Sequence, residues 1–153
     1  MSMDPKTLLA DMKSRFPDAL VEYQSLREKR ILMRIKKDAL TAIAAFLFKD
    51  RGLRFIIASA LDLEGGWEII YHFSHDPSGL IVNLSVVLER DTPQVESLVS
   101  VFEGAEWIER EMYELFGIKF LHHPNLEKFL LPENWKAGQF PLRRDFPKER
   151  ENS

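Results

Sequence analysis

Apolar side chains recur at helical spacing in two segments of the N-terminal half of the chain. The first segment begins where Asp4 precedes Pro5, a combination typical of a helix start, and Pro17 ends it. The second begins at Asp38, which we expect to cap it, and ends at Gly52. The predicted apolar faces are Leu8, Leu9, Met12 and Phe16 in the first helix, and Leu40, Ile43, Ala44 and Leu47 in the second.

Alternating apolar and polar positions predict five strands. Two of them lie on either side of the charged residues 27–30, and three follow from Leu53 onward, joined by turns at residues 65–66 and 76–79. Short turns connect antiparallel neighbours, so the last three strands should form a meander. The fourth strand spans residues 67–73, and the faces predicted for the others are Ala19, Val21 and Tyr23; Ile31, Met33 and Ile35; Leu53, Phe55, Ile57, Ser59 and Leu61; and Leu80, Val82, Leu84, Val86 and Leu88.

Two further helices are predicted after the strands. Thr92 before Pro93 repeats the helix-start pattern, for a short helix with apolar positions between residues 95 and 102. A longer helix follows at residues 105–116 and ends before Gly117. The order α-β-β-α-β-β-β-α-α predicts an α+β fold of two layers, with helices packed on one face of a mainly antiparallel sheet. We expect residues 1–116 to form this globular domain.

The helix predicted at residues 105–116 combines an apolar stripe with an acidic surface. At about 100° per residue the stripe is centred on Ile108, and Glu109 and Glu111 lie near its two edges. Residues 89–116 contain eight acidic and two basic residues, which favours a basic partner. The positions on the far side of the helix, which we expect to be exposed, are Glu103, Glu106, Arg110 and Glu114.

The composition excludes several classes of function. With 153 residues, 45% of them hydrophobic, the chain is long enough for one compact domain. It contains no cysteine, so it supplies no thiolate to an iron–sulfur cluster or a zinc site. A net charge of −3 argues against binding of nucleic acid by a broad basic surface. We expect a cytoplasmic protein, because the sequence has neither a membrane-spanning apolar run nor a secretory signal pattern.

Residues 117–153 are rich in large apolar side chains but lack helical periodicity. Prolines at positions 124, 132, 141 and 147 interrupt regular structure, so these side chains need another surface to cover them. We therefore predict that residues 117–153 form an extended, partner-binding tail. Its predicted apolar anchors are Leu130, Leu131, Trp135, Leu142 and Phe146.

Several spaced motifs in this part of the chain carry a family resemblance. They are Glu-Arg-Glu-Met-Tyr-Glu-Leu-Phe-Gly-Ile at residues 109–118, His-Pro-Asn-Leu at 123–126, Leu-Leu-Pro at 130–132 with Trp135, and Pro-Leu-Arg-Arg-Asp-Phe-Pro at 141–147. The pattern resembles the C subunit of NADH:quinone oxidoreductase (respiratory complex I), and the equivalent subunit of energy-converting membrane-bound hydrogenases and related archaeal complexes. Between these motifs, two positions depart from the family pattern, Glu127 and Phe129.

The resemblance implies a non-catalytic structural and assembly subunit in the cytoplasmic arm of a membrane-bound, ion-translocating oxidoreductase. Such a subunit would dock on the large subunit with the quinone or nickel–iron site and on the small iron–sulfur subunit. It would have no catalytic residue, cofactor or metal of its own, since the clusters lie in its partners, through which it attaches peripherally to the cytoplasmic side of the membrane. The implied partner-binding residues are Glu109, Arg110, Glu111, Glu114, His123, Pro124, Leu130, Leu131, Pro132, Trp135, Pro141, Leu142, Arg143, Arg144, Asp145, Phe146 and Pro147.

Two other classes of function remain as alternatives. A stand-alone enzyme would use histidines and carboxylates, but His72 and His75 would point to opposite faces of a strand, and adjacent His122 and His123 diverge. Glu109 and Glu111 also diverge, because residues two apart on a helix do not face each other. A nucleic-acid module would rest on a basic segment that lacks interleaved aromatic residues for stacking bases. That segment contains Arg27, Lys29, Arg30, Arg34, Lys36 and Lys37.

Overall fold

The computed structural model describes residues 3–126 and 140–144. Here helices cover one face of a mainly antiparallel five-stranded sheet, which confirms the predicted two-layer α+β fold. No helix in this described part has the length and apolar character needed to cross a membrane. The helices and strands are α1 (Pro5–Arg15), β1 (Leu20–Arg27), β2 (Arg30–Ile35), α2 (Leu40–Ala45), β3 (Arg54–Leu63), β4 (Gly66–His75), β5 (Leu80–Glu89), β6 (Gln94–Glu96), α3 (Ala105–Phe116) and β7 (Lys119–Leu121).

Both predicted N-terminal helices are present. At the start of α1, the Asp4 carboxylate accepts a hydrogen bond of 2.8 Å from the Thr7 N–H, so this predicted cap is confirmed. α2 lies between a 3₁₀ turn (Lys37–Ala39) and a π turn (Phe46–Asp50). The cap predicted at Asp38 is wrong: the helical run starts earlier than expected, and Asp38 lies inside its first turn without a capping hydrogen bond.

The sheet joins the N-terminal hairpin to the predicted meander. Its strand order is β1-β2-β5-β4-β3, in which β1–β2, β3–β4 and β4–β5 are antiparallel pairs. β2 and β5 pair in parallel, with Met33 opposite Leu84. This parallel contact links two segments that are far apart in the chain, and no local pattern predicted it. It makes one continuous sheet of the two predicted strand groups.

The core lies between this sheet and the helices. Leu8 and Met12 from α1, Ile43 from α2 and Met112 from α3 belong to the same buried cluster as the inner side chains of the sheet. Burial of large apolar side chains is the main stabilising contribution in such a layer. The inner sheet residues are Ile31, Met33 and Ile35; Trp67, Ile69, Tyr71 and Phe73; and Leu80, Val82, Leu84, Val86 and Leu88.

Two predicted strand faces are wrong because of irregularities in register. In β1 the pairing shifts between Leu20 and Glu22, and Val21 is 59% exposed although the alternation placed it inside. In β3 the pairing shifts between Phe55 and Ile57, so Ala58 is buried while Ile57 is 49% exposed. A bulge adds one residue to one strand and reverses the alternation beyond it. Ser59 and Leu61 consequently lie on the same outer side as Ile57.

The short helix predicted after Pro93 is also wrong. Residues 94–96 form strand β6, which pairs in parallel with β7 and sets Val95 opposite Phe120. Both of these side chains are buried, as is Ile118. A long-range strand pairing therefore overrides a local spacing that was compatible with a helix. Residues 118–121, beyond the predicted domain boundary at 116, are part of the folded structure.

Candidate partner-binding site

Helix α3, which carries the most specific motif, is buried over a wider arc than its apolar stripe predicted. Arg110 and Glu114 were expected on an exposed face, but they are only 7% and 4% exposed. Ile108, the predicted centre of the stripe, is only partly buried. Hydrophobic periodicity identifies apolar surface only, so it does not detect polar groups that are buried with hydrogen bonds. The remaining buried residues of the helix are Ala105, Glu109 and Met112.

Glu109 is completely buried and bonded within the chain. Its carboxylate accepts a hydrogen bond of 2.7 Å from the Leu98 N–H and one of 2.6 Å from the Ser97 hydroxyl. Burial disfavours the charged form and raises the pKa of Glu109 to about 7, although both hydrogen bonds act in the opposite direction. The carboxylate therefore fastens α3 to the turn after β6. Both donors belong to the segment that precedes α3 in the chain.

His123 lies next to this carboxylate, with no exposed side-chain surface. Its Nδ1 accepts a hydrogen bond of 3.0 Å from the Asn125 N–H. The other nitrogen, Nε2, must then carry the proton, which it donates to the Glu106 carbonyl at 3.1 Å. Nε2 is 3.8 Å from the carboxylate of Glu109. The imidazole thus connects the segment after β7 to α3.

Tyr71 completes what we call the Glu109 cluster, formed by Glu109, His123 and Tyr71. Its hydroxyl is buried and has no hydrogen-bond partner among the described residues. Burial raises the pKa of Tyr71 well above its ordinary value, and the nearby charge of Glu109 acts in the same direction. The cluster brings together side chains from β4, α3 and the segment after β7. Sequence reasoning missed Tyr71, because it reads as an ordinary inward residue of a strand.

The histidines considered for a stand-alone enzyme do not come together in one site. His122 is exposed and contacts the Glu96 carboxylate at 2.8 Å, while adjacent His123 points inward, as the divergence of neighbouring side chains predicted. His72 and His75 bond to Asn83 and Ser78 respectively, each at 2.6 Å. Across residues 3–126 and 140–144, no three His, Asp or Glu side chains form a group that could hold a metal ion.

Residues 140–144 pack over the C-terminal end of α3. The Leu142 N–H donates to the Leu115 carbonyl at 3.1 Å, and Nε of Arg143 donates to the Phe116 carbonyl at 2.6 Å. The Arg143 guanidinium carbon is 5.2 Å from the centre of the Trp67 ring and 4.4 Å from that of Phe140. Arg143 therefore contributes to the fold of the chain itself, which the sequence did not predict.

Gly117 makes this close packing possible. It ends α3 with a φ of +80°, a conformation that favours glycine. A Cβ atom at this position would lie 2.6 Å from Cε2 of Phe140 and 2.7 Å from Nη2 of Arg143. Next in the segment, the Arg144 N–H donates to the Asp62 carboxylate of β3 at 2.8 Å. Both ends of the segment are thus attached to the folded domain.

Those predicted partner-binding residues that the structure describes fall into three groups by burial. Glu109, Arg110 and Glu114 are buried, and His123 is partly buried with no exposed side-chain surface. Glu111, Pro141 and Arg143 are partly buried, and Pro124, Leu142 and Arg144 are exposed. A contact between these residues and a partner stays a prediction, most directly available to the exposed ones. The remaining members, Leu130, Leu131, Pro132, Trp135, Asp145, Phe146 and Pro147, lie outside the described residues.

A second surface, which the sequence reasoning missed, is the sheet face opposite the helices. We call it the open sheet face; its apolar members include Leu26, Ile57, Leu61 and Val87, all exposed. Around Ile57 it forms a depression of about 410 Å³. One signal was available: paired apolar residues such as those at 56–57, 69–70 and 80–81 are typical of strands that are covered on both faces. Exposed apolar surface of this kind marks interaction sites.

Sequence comparisons place these features in a family. The family model described as "Respiratory-chain NADH dehydrogenase, 30 Kd subunit" matches residues 33–152. The chain is 33% identical over 147 residues to the C subunit of F(420)H(2) dehydrogenase from Methanosarcina mazei, a match that covers 94% of this chain and 92% of the relative. It is 31% identical over 153 residues to the C subunit of NADH-quinone oxidoreductase from Roseiflexus sp. (strain RS-1), covering 96% and 86% respectively.

A structural comparison agrees with this fold. A chain of the membrane-bound sulfane sulfur reductase (MBS), described as an archaeal respiratory membrane complex, superimposes with a TM-score of 0.82 at 21% identity. The match covers 93% of this chain and 85% of that one. At this level of identity, the structural match shows only that the two chains share a fold. The sequence matches show that this chain belongs to the family. The protein therefore belongs to the family of the 30 kDa subunit, also called the C subunit, of respiratory-chain NADH dehydrogenase.

Proposed function

We propose that this chain is a non-catalytic structural and assembly subunit of a membrane-bound, ion-translocating, complex I-like oxidoreductase. The observation that carries the proposal is the pair of relatives: both are C subunits, one of an F(420)H(2) dehydrogenase and the other of an NADH-quinone oxidoreductase. A subunit shared by enzymes with different electron donors is better suited to holding an assembly together than to handling the donor. The hydrogenase type of complex also fits this reasoning.

The proposed partners are the large subunit that carries the quinone or nickel–iron site and the small iron–sulfur subunit. The chain has no cysteine, so the thiolates that hold iron–sulfur clusters would have to come from other subunits. Its exposed apolar surface supports docking on other proteins. In this proposal the subunit lies on the cytoplasmic side of the membrane and attaches to it through its partners.

The Glu109 cluster does not favour a catalytic role. Glu109 and His123 both hydrogen-bond to backbone groups of their own chain, and these bonds occupy the positions through which they would act as acid or base. Glu111 is the better probe, because it lies on the same helix and is partly exposed. Its side chain is accessible to a neighbouring subunit, whereas that of Glu109 is not.

Glu111→Gln in a host that lacks the native copy tests this role. The change removes the charge and keeps the shape, so we expect less assembled complex with turnover per assembled complex nearly unchanged. Lys13→Gln, at an exposed position of α1, is the matched control and should leave the amount of complex unchanged. Full assembly with lost turnover would instead mean that this carboxylate takes part in the reaction, and would contradict the non-catalytic proposal.

A further inference from the structure

The open sheet face has a basic rim beside its apolar depression. The β1–β2 hairpin ends there, and its register sets Arg27 directly opposite Arg30, with Lys29 in the turn between them. Arg30 also lines the depression, together with Leu26 and Ile57. All three cations are exposed.

These cations have no ion-pair partner in the described part of the chain. Glu28 in the same turn leaves the hairpin tip with a net positive charge. Like charges directly opposite each other on neighbouring strands are destabilising. A carboxylate supplied from outside would relieve this repulsion.

The centre of the open sheet face carries an ordered polar network. Arg34 bonds to both Glu22 and Glu68, at 2.7 Å and 2.6 Å, and Glu68 also accepts a hydrogen bond of 2.7 Å from Ser85. Covering these charged groups with the hydrocarbon of a lipid would cost free energy, because they would lose water without gaining a hydrogen bond. A protein surface can offer polar groups of its own to them. This observation favours a protein occupant over a lipid one.

We infer that the open sheet face is a second docking surface, which binds a protein segment of another subunit that presents apolar side chains flanked by Asp or Glu. The apolar residues would enter the depression beside Ile57, and the carboxylates would meet Arg27, Lys29 and Arg30. Charge complementarity selects an acidic partner, because a basic one would add to the repulsion already present in the hairpin. The inference rests on the proposed function, since it requires a multi-subunit assembly.

Site-specific cross-linking in the whole complex tests the occupant. A photo-reactive amino acid replaces Ile57 or Val87 in the affinity-tagged full chain, and Lys13 on α1 serves as the control position. We expect cross-links from Ile57 and Val87, but not from Lys13, to a segment of another subunit with Asp or Glu nearby. Cross-links to lipid, to a second copy or to the chain itself, or none above the control, would overturn the inference.

Charge reversal provides the second measurement. Arg30→Glu turns the repulsive pair with Arg27 into an attractive one, so the hairpin should remain folded, yet it removes the charge that meets the partner. We expect about tenfold fewer cross-links from Ile57. Arg30→Lys should restore them, and Lys13→Glu should have no effect. A chain that co-purifies with the complex but gives no cross-links from Ile57 refutes this inference alone; a chain that does not co-purify refutes the proposed function.

Discussion

Glu109 shows how an ionisable residue can be a structural element of the core. Its carboxylate has no exposed surface and bonds to Ser97 and the Leu98 backbone. The sequence motif identified this residue as important, but the helical projection placed it only at the edge of the buried stripe. A helical projection considers apolar character alone, and the hydrogen bonds that permit burial come from Ser97 and Leu98, which lie outside the helix.

Glu109→Gln should change how stability depends on pH. The pKa in the folded chain, about 7, lies above the ordinary value of 4.5, so the folded state holds this proton more tightly than the unfolded state does. This contribution to stability is complete below pH 4.5 and is lost as the pH rises through 7. Relative to wild type, the variant should gain on the order of 3 kcal/mol in unfolding free energy between pH 4.5 and 8.

Chemical denaturation at several pH values measures this difference. Glu111→Gln, on the same helix but only partly buried, is the control, and its stability relative to wild type should change much less with pH. Parallel pH profiles for wild type and Glu109→Gln would show that the carboxyl group is not held in its protonated form by burial.

Gly117→Ala should weaken the packing of residues 140–144 on α3. The φ of +80° disfavours a side chain by about 1–2 kcal/mol, and the added Cβ would also collide with Phe140 and Arg143. We expect lower stability to urea and faster hydrogen exchange at the Leu142 amide. Gly65→Ala is the control, because no atom lies within 4 Å of its Cβ position. Equal stability of the two variants would contradict the described packing.

At the scale of elements, the sequence predicted the strands well but not all of their faces. Period-two alternation located β1 and β3, yet a register irregularity in each strand reverses the alternation and turns Val21 and Ile57 outward. A bulge is set by how two strands pair across a sheet, and a single strand read by itself does not contain that information.

Strand β7 is the element that the sequence interpreted as the start of a tail. It pairs with β6, and Phe120 is buried opposite Val95. Both partners lie in segments of three residues, too short for periodicity to identify. Their pairing depends on α3 bringing residues 94 and 119 together, which is a property of the tertiary fold.

Phe120→Ala tests whether residues beyond 116 stabilise the domain. Truncating a fully buried phenylalanine typically costs about 3–5 kcal/mol, and we expect a loss of that size in the unfolding free energy of the full chain. Lys119→Ala, exposed in the same strand, should cost far less. If both variants were as stable as wild type, β7 would belong to a separate tail, as the sequence predicted.

At the scale of the whole molecule, the sequence motifs identified the family but did not predict which surfaces are exposed. Fold class followed from element order, and the family from residues 109–147. The open sheet face could not be predicted in this way, because it depends on the parallel β2–β5 contact that joins the strand groups into one sheet. A long-range contact of this kind leaves no periodic signature in one sequence.

Substitutions at the two neighbouring arginines of the C-terminal motif, Arg143 and Arg144, should affect different properties: the first the stability of the chain, the second its assembly. Arg143 lies between Trp67 and Phe140 and bonds to the Phe116 carbonyl, so Arg143→Lys should destabilise the isolated chain by about 1 kcal/mol. Arg144 is exposed. Arg144→Lys should leave the chain's stability unchanged and lower the yield of assembled complex, because lysine lacks the two-pronged geometry of a guanidinium. Unfolding curves and complex yields check both, and equal effects of the two changes would contradict this division.

The central claim, that the chain is a structural subunit of a larger oxidoreductase, is tested most directly by native mass measurement after affinity purification from the source cells. The account predicts this chain in an assembly with a large subunit and an iron–sulfur subunit, with the iron retained in the partners when the chain is dissociated. A chain that purifies by itself, with an enzymatic activity of its own, would contradict it.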